Sequence, residues 1–202
     1  MQNDILNLPG YRKCEYLLVL DPHEDLWNRI MKEKEVFAKK YKCPMAYGTK
    51  PHVTLVKFTQ YEIMEERICN RLKMIAMTMP SFKVELKDFG SFPSHTIYIN
   101  VTTKVAIVNL VKAIKQVQHL MKIDKDNKPH FIDEPHLTIA RKLAPWQYEN
   151  AWLEYSNTPF TGRFIANNML LLKRREGEKG YQKIQRFEFM NLPVVTKQGE
   201  LF

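Results

Sequence analysis

The 202-residue chain is long enough for one domain or two small coupled lobes, and its 45% hydrophobic content suffices for a buried core. Its 31 Lys and Arg against 22 Asp and Glu give a formal charge of +9, which favours anionic partners such as phosphates or nucleic acid. No stretch approaches the roughly 18 consecutive apolar residues of a membrane span, and residues 1–13 lack the apolar segment of a secretory signal. We therefore expect a soluble, cytoplasmic monomer that does not bind membranes.

The positions of cysteine, lysine and glycine give no sign of a disulfide framework, a zinc site or a glycine-rich nucleotide-binding loop. Cys14, Cys43 and Cys69 are odd in number and widely spaced, which predicts neither a disulfide framework nor a zinc site. The lysine-rich residues 31–42 fit a solvated, mixed-charge helix face. No G-x-x-x-x-G-K-[ST] loop is present in the sequence. We expect no metal and no cofactor.

Strand-like and helix-like patterns alternate along the first half of the chain. In chain order, the sequence predicts a strand at 15–20, a helix at about 24–41, a strand at 51–58, a helix at about 61–77 and a strand at 82–89. Asp21 and Pro22 mark the start of the first helix.

The second half repeats the same order of elements. In chain order, it predicts a strand at 95–101, a helix at 104–121, a strand at 135–142, a helix at about 145–155, a strand within 159–174, and a last strand at 181–189 that pairs back across a glycine-containing loop. The long helix has one apolar stripe, formed by Ile107, Val111, Ile114, Val117 and Met121. Repeats at about 15–90 and about 95–190 predict a single α+β domain of two lobes with a groove between them.

The third element of each repeat carries the same motif, PHVTLVKF at 51–58 and PHLTIARK at 135–142. Side chains alternate along a strand, so His52 and Thr54 share one face while Val53 lies on the other. The same alternation places His136 beside Thr138. Each strand therefore has an apolar face for the core and a face that carries an imidazole next to a hydroxyl.

Two such pairs suit displacement at phosphorus. One neutral imidazole accepts a proton from the attacking water or hydroxyl, and the other, as imidazolium, donates a proton to the leaving oxygen. Threonine hydroxyls can donate hydrogen bonds to the non-bridging phosphate oxygens. Lone H-x-T sequences are common and usually structural. His23, His95, His119 and His130 lack the second-position threonine, and we assign them no catalytic role.

With its motifs HVTL (52–55) and HLTI (136–139), the sequence resembles the 2H phosphoesterase superfamily, in particular the 2'-5' RNA ligase-like branch that includes RNA 2',3'-cyclic phosphodiesterases. The resemblance covers nearly the whole chain. It implies two pseudo-symmetric lobes around a central cleft, each an antiparallel sheet covered by helices. It also implies that His52 protonates the 3' leaving oxygen and that His136 activates water.

The resemblance implies a site role for one cationic residue and assigns no role to the aromatic residues. It implies a phosphate-binding role for Arg141, five residues after His136, although strict alternation would turn this side chain away from the motif face unless a bulge intervenes. Lys57 holds the matching position after His52, and we expect an exposed lysine at a strand end. The sequence assigns none of four nearby aromatic residues to the site: Phe58, Tyr47, Trp146 and Tyr181.

The resemblance gives one leading function and two alternatives. The leading one is metal-independent hydrolysis of a 2',3'-cyclic phosphate end of RNA, or of a related nucleotide, to a 2'-phosphate, with 2'-5' ligation as the reverse reaction. Related enzymes cut 2'-5' oligoadenylate, cyclic ADP-ribose phosphate or cyclic dinucleotides. The second alternative is a module that binds RNA or nucleotides without turnover.

Overall fold

The computed structural model describes residues 10–193, in which nine strands form a curled antiparallel sheet with helices packed against it. The strands are β1 (Lys13–Leu20), β2 (Val53–Tyr61), β3 (Phe82–Phe92), β4 (Thr96–Val101), β5 (His130–Phe131), β6 (His136–Arg141), β7 (Thr161–Ala166), β8 (Asn168–Arg175) and β9 (Gln182–Glu188). The helices are α1 (Glu24–Lys40), α2 (Pro44–Tyr47), α3 (Glu65–Thr78), α4 (Lys104–Lys115) and α5 (Pro145–Tyr155). This arrangement confirms the predicted α+β fold class.

The order of strands in the sheet is symmetric about its centre. It runs β7-β3-β4-β6-β2-β1-β8-β9, and the short strand β5 also pairs with β2. We call β1, β2, β8 and β9 the first lobe, and β3, β4, β6 and β7 the second lobe. Each lobe thus supplies one motif strand, β2 or β6, to the central junction.

Each lobe contains strands from both sequence repeats. β3 follows the first motif along the chain but pairs with β4 and β7 in the second lobe. β8 lies in the second repeat but pairs with β1 in the first lobe. Helices cross in the same way, because α1 packs on β6 and α4 packs on β2. These exchanges tie the lobes together on both sides of the junction.

The predicted elements all have counterparts, with two differences. The helix predicted at 104–121 ends at Lys115, and a 3-10 turn at Gln118–Leu120 follows. Val117 and Met121 are nevertheless buried like the rest of the predicted stripe, because apolar spacing reports burial and not backbone hydrogen bonding. The region 159–174 forms two strands, β7 and β8, since its two parts pair with different lobes. The sequence did not predict α2 and β5.

The apolar residues of both motif strands form the centre of the core. Val53, Leu55, Leu137 and Ile139 are all fully buried, with 0% exposure. Their burial fixes which face of each strand is turned inward, and therefore which face carries the imidazoles.

Two further features bear on the cysteines and on the helices. All three cysteines are free and buried. Between residues 10 and 193, no helix combines the length and the apolar character that crossing a bilayer requires.

Truncation of Leu137 to alanine should destabilise the protein strongly. The side chain is fully buried where β6 meets β2, so its removal leaves a cavity at the junction of the lobes. We expect a loss of about 2–5 kcal/mol in the free energy of unfolding, measured by urea denaturation. Leu153→Ala is the matched control, because Leu153 is 73% exposed, and it should change stability by no more than about 0.5 kcal/mol. Equal losses in the two variants would contradict a packed junction.

Candidate functional site

The two motif strands lie side by side at the centre of the sheet. β2 and β6 are antiparallel, and Val53 pairs with Leu137. This register sets His52 across from Thr138 and Thr54 across from His136, since residues opposite each other in an antiparallel pair share a face. The sequence predicted that these four residues lie at one groove, and the structure brings all four to one cleft.

β2 carries a bulge at the residue that follows Thr54. Its neighbour β1 pairs Val19 with Thr54 and Leu18 with Val56, so Leu55 has no opposite residue. A bulge adds one residue to one strand and shifts the alternation of side chains beyond it. The residue five places after His52, Lys57, consequently lines the cleft. It is exposed as predicted, but it lies within β2 and not at the strand end.

β6 carries the equivalent bulge. Its neighbour β4 pairs Tyr98 with Thr138 and Ile97 with Ala140, so Ile139 is the extra residue. The shift turns Arg141 toward the same face as the motif, where it lines the cleft with Thr138. The bulge that a site role for Arg141 requires is therefore present.

The cleft is a cavity of about 280 Å³. Its remaining walls come from both lobes and from the segment before β2: Leu17, Thr49, Lys50, Phe92, Thr96, His130, Ile132 and Tyr181. Three surface grooves formed by residues 10–193 are larger, at about 350, 630 and 1030 Å³. None of them brings two imidazoles together, although His136 also lines the smallest of the three. The chemistry of the side chains, more than the size of the cavity, singles out the cleft.

Backbone carbonyls orient both motif histidines in the same way. Nδ1 of His52 lies 2.8 Å from the carbonyl oxygen of Lys50, and Nδ1 of His136 lies 2.8 Å from that of Glu134. A carbonyl oxygen only accepts, so each Nδ1 carries a proton and donates it. Each neutral imidazole therefore presents an unprotonated Nε2, the atom that can accept a proton from a ligand.

Burial makes both imidazoles poor bases, but to different degrees. Burial, together with the charges of Lys34 and Arg141, lowers the pKa of His52 to about 4. Burial also lowers the pKa of His136, while the hydrogen bond to the Glu134 carbonyl and the Glu134 carboxylate oppose that effect. In the free protein, protonation is therefore less costly at His136 than at His52.

The predicted phosphate-binding groups are available to a ligand. Thr54 and Thr138 are half-buried on the walls of the cleft, and Arg141 is exposed. Within residues 10–193, neither threonine hydroxyl makes a hydrogen bond and Arg141 makes no ion pair. Two hydroxyl donors and one guanidinium are thus free to bind an anion between the imidazoles.

Lys57, the counterpart of Arg141, is held by an acidic residue. Glu15 of β1 pairs with Lys57 and Arg174 and accepts a hydrogen bond from Tyr181. Burial acts to raise the pKa of Glu15, but Lys57 and Tyr181 outweigh it, so the carboxylate stays charged. The two cations at matching positions therefore differ: Lys57 forms an ion pair with Glu15, whereas Arg141 forms none within residues 10–193.

Lys34 of α1 is a site neighbour that the sequence did not reveal. The pattern of residues 31–42 predicts a solvated face, yet Lys34 is 0% exposed. Its ammonium donates to Thr49 Oγ1 at 2.9 Å, to the Thr138 carbonyl at 3.0 Å and to the Ile139 carbonyl at 3.1 Å. Burial, together with the charge of Arg141, lowers the pKa of Lys34 to about 8.

Aromatic residues flank one histidine. The rings of Phe92 and Tyr98 lie 5.0 Å and 4.9 Å from the His136 ring. Of the aromatic residues considered from sequence, Tyr181 lines the cleft, while Phe58 is buried against Tyr16. Tyr47 and Trp146 are half exposed and are not part of the cleft wall.

His130 also lies at the cleft margin, beside Lys57 in the pairing of β5 with β2. Sequence pattern gave no reason to place it there. Within residues 10–193, no group of three or more His, Cys, Asp and Glu side chains is arranged to hold a metal ion.

A sequence profile describing the 2'-5' RNA ligase superfamily matches residues 22–178, a span that includes both motifs. The chain belongs to this superfamily. Its members are 2H phosphoesterases, so membership supports a phosphodiesterase. A comparison with curated proteins gave no match.

Solved structures support the superfamily fold. E. coli LigT complexed with 3'-AMP is similar with a TM-score of 0.61 and 14% identity, over 88% of this chain and 98% of LigT. TT0787 of Thermus thermophilus is similar with a TM-score of 0.62 and 15% identity, over 87% of this chain and 98% of TT0787. At such identities the likeness establishes the fold alone.

Acidification should destabilise the protein partly through His52. The ordinary histidine pKa is 6.5 and folding lowers that of His52 to about 4, so between these values the unfolded chain binds a proton that the folded protein does not. Stability is therefore present above pH 6.5 and is lost as the pH falls toward 4. In urea titrations between pH 7 and 4, His52→Asn should lose less stability than the wild type.

The control is His119→Asn, which removes an exposed histidine that does not line the cleft. It should follow the wild-type curve. If His52→Asn and the wild type lose stability in parallel, burial does not oppose protonation of His52.

Proposed function

We propose that the protein is a metal-independent phosphodiesterase that hydrolyses 2',3'-cyclic phosphate ends of RNA, or of related nucleotides, to 2'-phosphates. The main support is that two imidazoles with unprotonated Nε2 atoms share one cavity with two hydroxyls and with a guanidinium that makes no ion pair within residues 10–193. A site that only binds anions needs cations and donors, but it has no need of two oriented imidazoles. Metal-independent acid–base catalysis of phosphoryl transfer uses one imidazole as the base and the other as the acid.

The reaction follows from the placement of these groups. Water attacks phosphorus and gives a proton to one Nε2, while the other Nε2, protonated beforehand, donates its proton to the 3' oxygen as the phosphorus–O3' bond breaks. Thr54, Thr138 and Arg141 donate hydrogen bonds to the non-bridging oxygens, where charge increases in the transition state. The product has a 2'-phosphate and a free 3'-hydroxyl. Proton exchange with solvent then returns both imidazoles to their starting states.

The bound substrate influences which histidine acts as the acid and which acts as the base. The resemblance to cyclic phosphodiesterases implies that His52 is the acid, whereas protonation in the free protein is more costly at His52 than at His136. A bound phosphate carries negative charge, and such charge raises the pKa of a neighbouring imidazole. The assignment of His52 as the acid therefore requires that the bound substrate raise the pKa of His52.

A nucleotide substrate is supported by the charge of the chain and by a structural relative. The net charge of +9 favours an anionic ligand. LigT has been solved in complexes with 3'-AMP, NADP+ and ATP, so a protein of this fold holds nucleotides. The same groups would catalyse ligation when a 5'-hydroxyl replaces water as the nucleophile: the hydroxyl gives its proton to the base as it attacks phosphorus, the phosphorus–O3' bond breaks, O3' takes the proton of the acid, and a 2'-5' linkage forms.

Replacement of either motif histidine should abolish most of the activity. His52→Gln and His136→Gln each remove one proton transfer, which is typically worth about 10²- to 10⁴-fold in rate. The measurement is turnover of 2',3'-cyclic AMP and of RNA ending in a cyclic phosphate, with products identified by chromatography. The parallel panel contains 2'-5' oligoadenylate and cyclic dinucleotides. His95→Gln, outside the cleft wall, is the control and should retain wild-type rates.

Wild-type rates in both motif variants would contradict the catalytic role and leave a binding module. A leaving group that needs no acid separates the two roles. With a 3'-deoxynucleoside 2'-(p-nitrophenyl phosphate), in which p-nitrophenolate leaves in place of the 3' oxygen, the variant that lacks the acid should recover much of its rate, and the variant that lacks the base should not. Recovery by His136→Gln instead of His52→Gln would reverse the assigned roles.

Activity should depend on pH as a bell and should survive EDTA. One imidazole must be neutral and the other protonated, and both pKa values lie below 6.5 in the free protein. The maximum of kcat/KM, which reports the free enzyme, should therefore fall on the acid side of pH 6.5. Chelation should leave the rate unchanged because the proton transfers and the charge stabilisation come from side chains. Loss of activity in EDTA, restored by a divalent cation, would contradict this mechanism.

A further inference from the structure

A buried positive charge lies behind the second motif. Lys34 is fully buried, and its three N–H donors are all used, by the Thr49 hydroxyl and by the carbonyls of Thr138 and Ile139. Removing an ammonium from water costs several kcal/mol unless it is paired and fully hydrogen-bonded. Within residues 10–193 no carboxylate pairs with Lys34, so these three dipolar contacts alone compensate for its burial.

Two of the three acceptors belong to the bulge in β6. Ile139 is the extra residue that has no opposite partner in β4, and Thr138 precedes it. Bulged residues leave the hydrogen-bond ladder, and their buried carbonyls need another donor. Lys34 supplies that donor from α1, the helix that crosses over from the first lobe.

The bulge determines where Arg141 points. In a regular strand, side chains at odd separations lie on opposite faces, so Arg141 would face away from His136. The extra residue at Ile139 reverses that relation and brings Arg141 to the cleft wall. Loss of the bulge would therefore withdraw the guanidinium from the site.

In the first motif, an uncharged donor forms the hydrogen bond to the carbonyl of the bulged residue. In β2 the extra residue is Leu55, and its carbonyl accepts a hydrogen bond from the backbone N–H of Ile132 at 3.0 Å. The cation that this bulge exposes, Lys57, is already paired with Glu15. Of the two bulges, the one supported by a buried lysine is therefore the one that presents a cation with no ion pair in the described part of the chain.

We propose that Lys34 is a positioning residue that braces the β6 bulge and thereby holds Arg141 in the cleft for the phosphate oxygens. The inference rests on the proposed function, because phosphate is the ligand to which Arg141 would be presented. Lys34 itself touches no substrate atom and acts through Arg141.

A double-mutant cycle tests this role. Lys34→Met keeps the length of the side chain and removes the donors, and we expect it to raise KM and to lower kcat/KM by about tenfold or more in the wild-type background. In the Arg141→Ala background the same substitution should lower kcat/KM several-fold less than in the wild-type background, because the group it positions is gone and only the effect of the Lys34 charge on His52 remains. Equal losses in both backgrounds would overturn the proposal.

Two matched variants complete the design. Lys39→Met alters an exposed lysine of the same helix that pairs only with Glu35 within residues 10–193, and it should leave kcat/KM unchanged in both backgrounds. Lys34→Gln keeps two N–H donors without the charge and should recover part of the loss in KM. It runs through the same cycle, so the test remains decisive if the Met variant does not fold.

Binding of inorganic phosphate, titrated by calorimetry, gives the cycle a readout without turnover. If the wild type hydrolyses no member of the substrate panel, the proposed function fails, while non-additive phosphate affinities still support the brace. If the wild type turns over substrate but both cycles are additive, the brace fails alone. Lys34→Met with unchanged phosphate affinity and unchanged KM would overturn it outright.

Discussion

The candidate site depends on one strand pairing, between β2 and β6 at the centre of the sheet. The pairing of Val53 with Leu137 brings two H-x-T motifs, more than eighty residues apart in the sequence, onto the same face. The apolar residues between the polar ones are fully buried, so neither strand can rotate its imidazole away without exposing core. Strands and helices exchanged between the lobes hold this pairing from both sides.

Burial of the core also sets the electrostatics of the cleft. The imidazoles emerge directly from buried strands, and desolvation accordingly lowers the pKa of both. Matching backbone contacts fix the same tautomer at His52 and His136, whereas the surrounding charges differ. Cations surround His52, and Glu134 lies beside His136. A nearly symmetric fold thus produces two chemically different imidazoles, which is what an acid and a base require.

Much of this arrangement was predictable from the sequence, and the reasons for the remainder are physical. The repeat and the H-x-T spacing predicted the motif strands because alternation is a local property of a strand. The bulges were not predictable, since Leu55 and Ile139 resemble ordinary buried strand residues, and the facing of Arg141 depends on one of them. Lys34 resembles its solvated neighbours in residues 31–42, and only the approach of α1 to β6 buries it. The exchange of β3 and β8 between the lobes is likewise set by long-range strand pairing, which local sequence patterns do not reveal.

The most direct test of a shared phosphate site is a crystal structure of the protein with adenosine 2'-phosphate, the product expected from 2',3'-cyclic AMP. A shared site requires that the phosphate lie between Nε2 of His52 and Nε2 of His136, with both threonine hydroxyls and the Arg141 guanidinium within hydrogen-bonding distance. A phosphate bound instead in one of the larger surface grooves, with the imidazoles uncontacted, would contradict it.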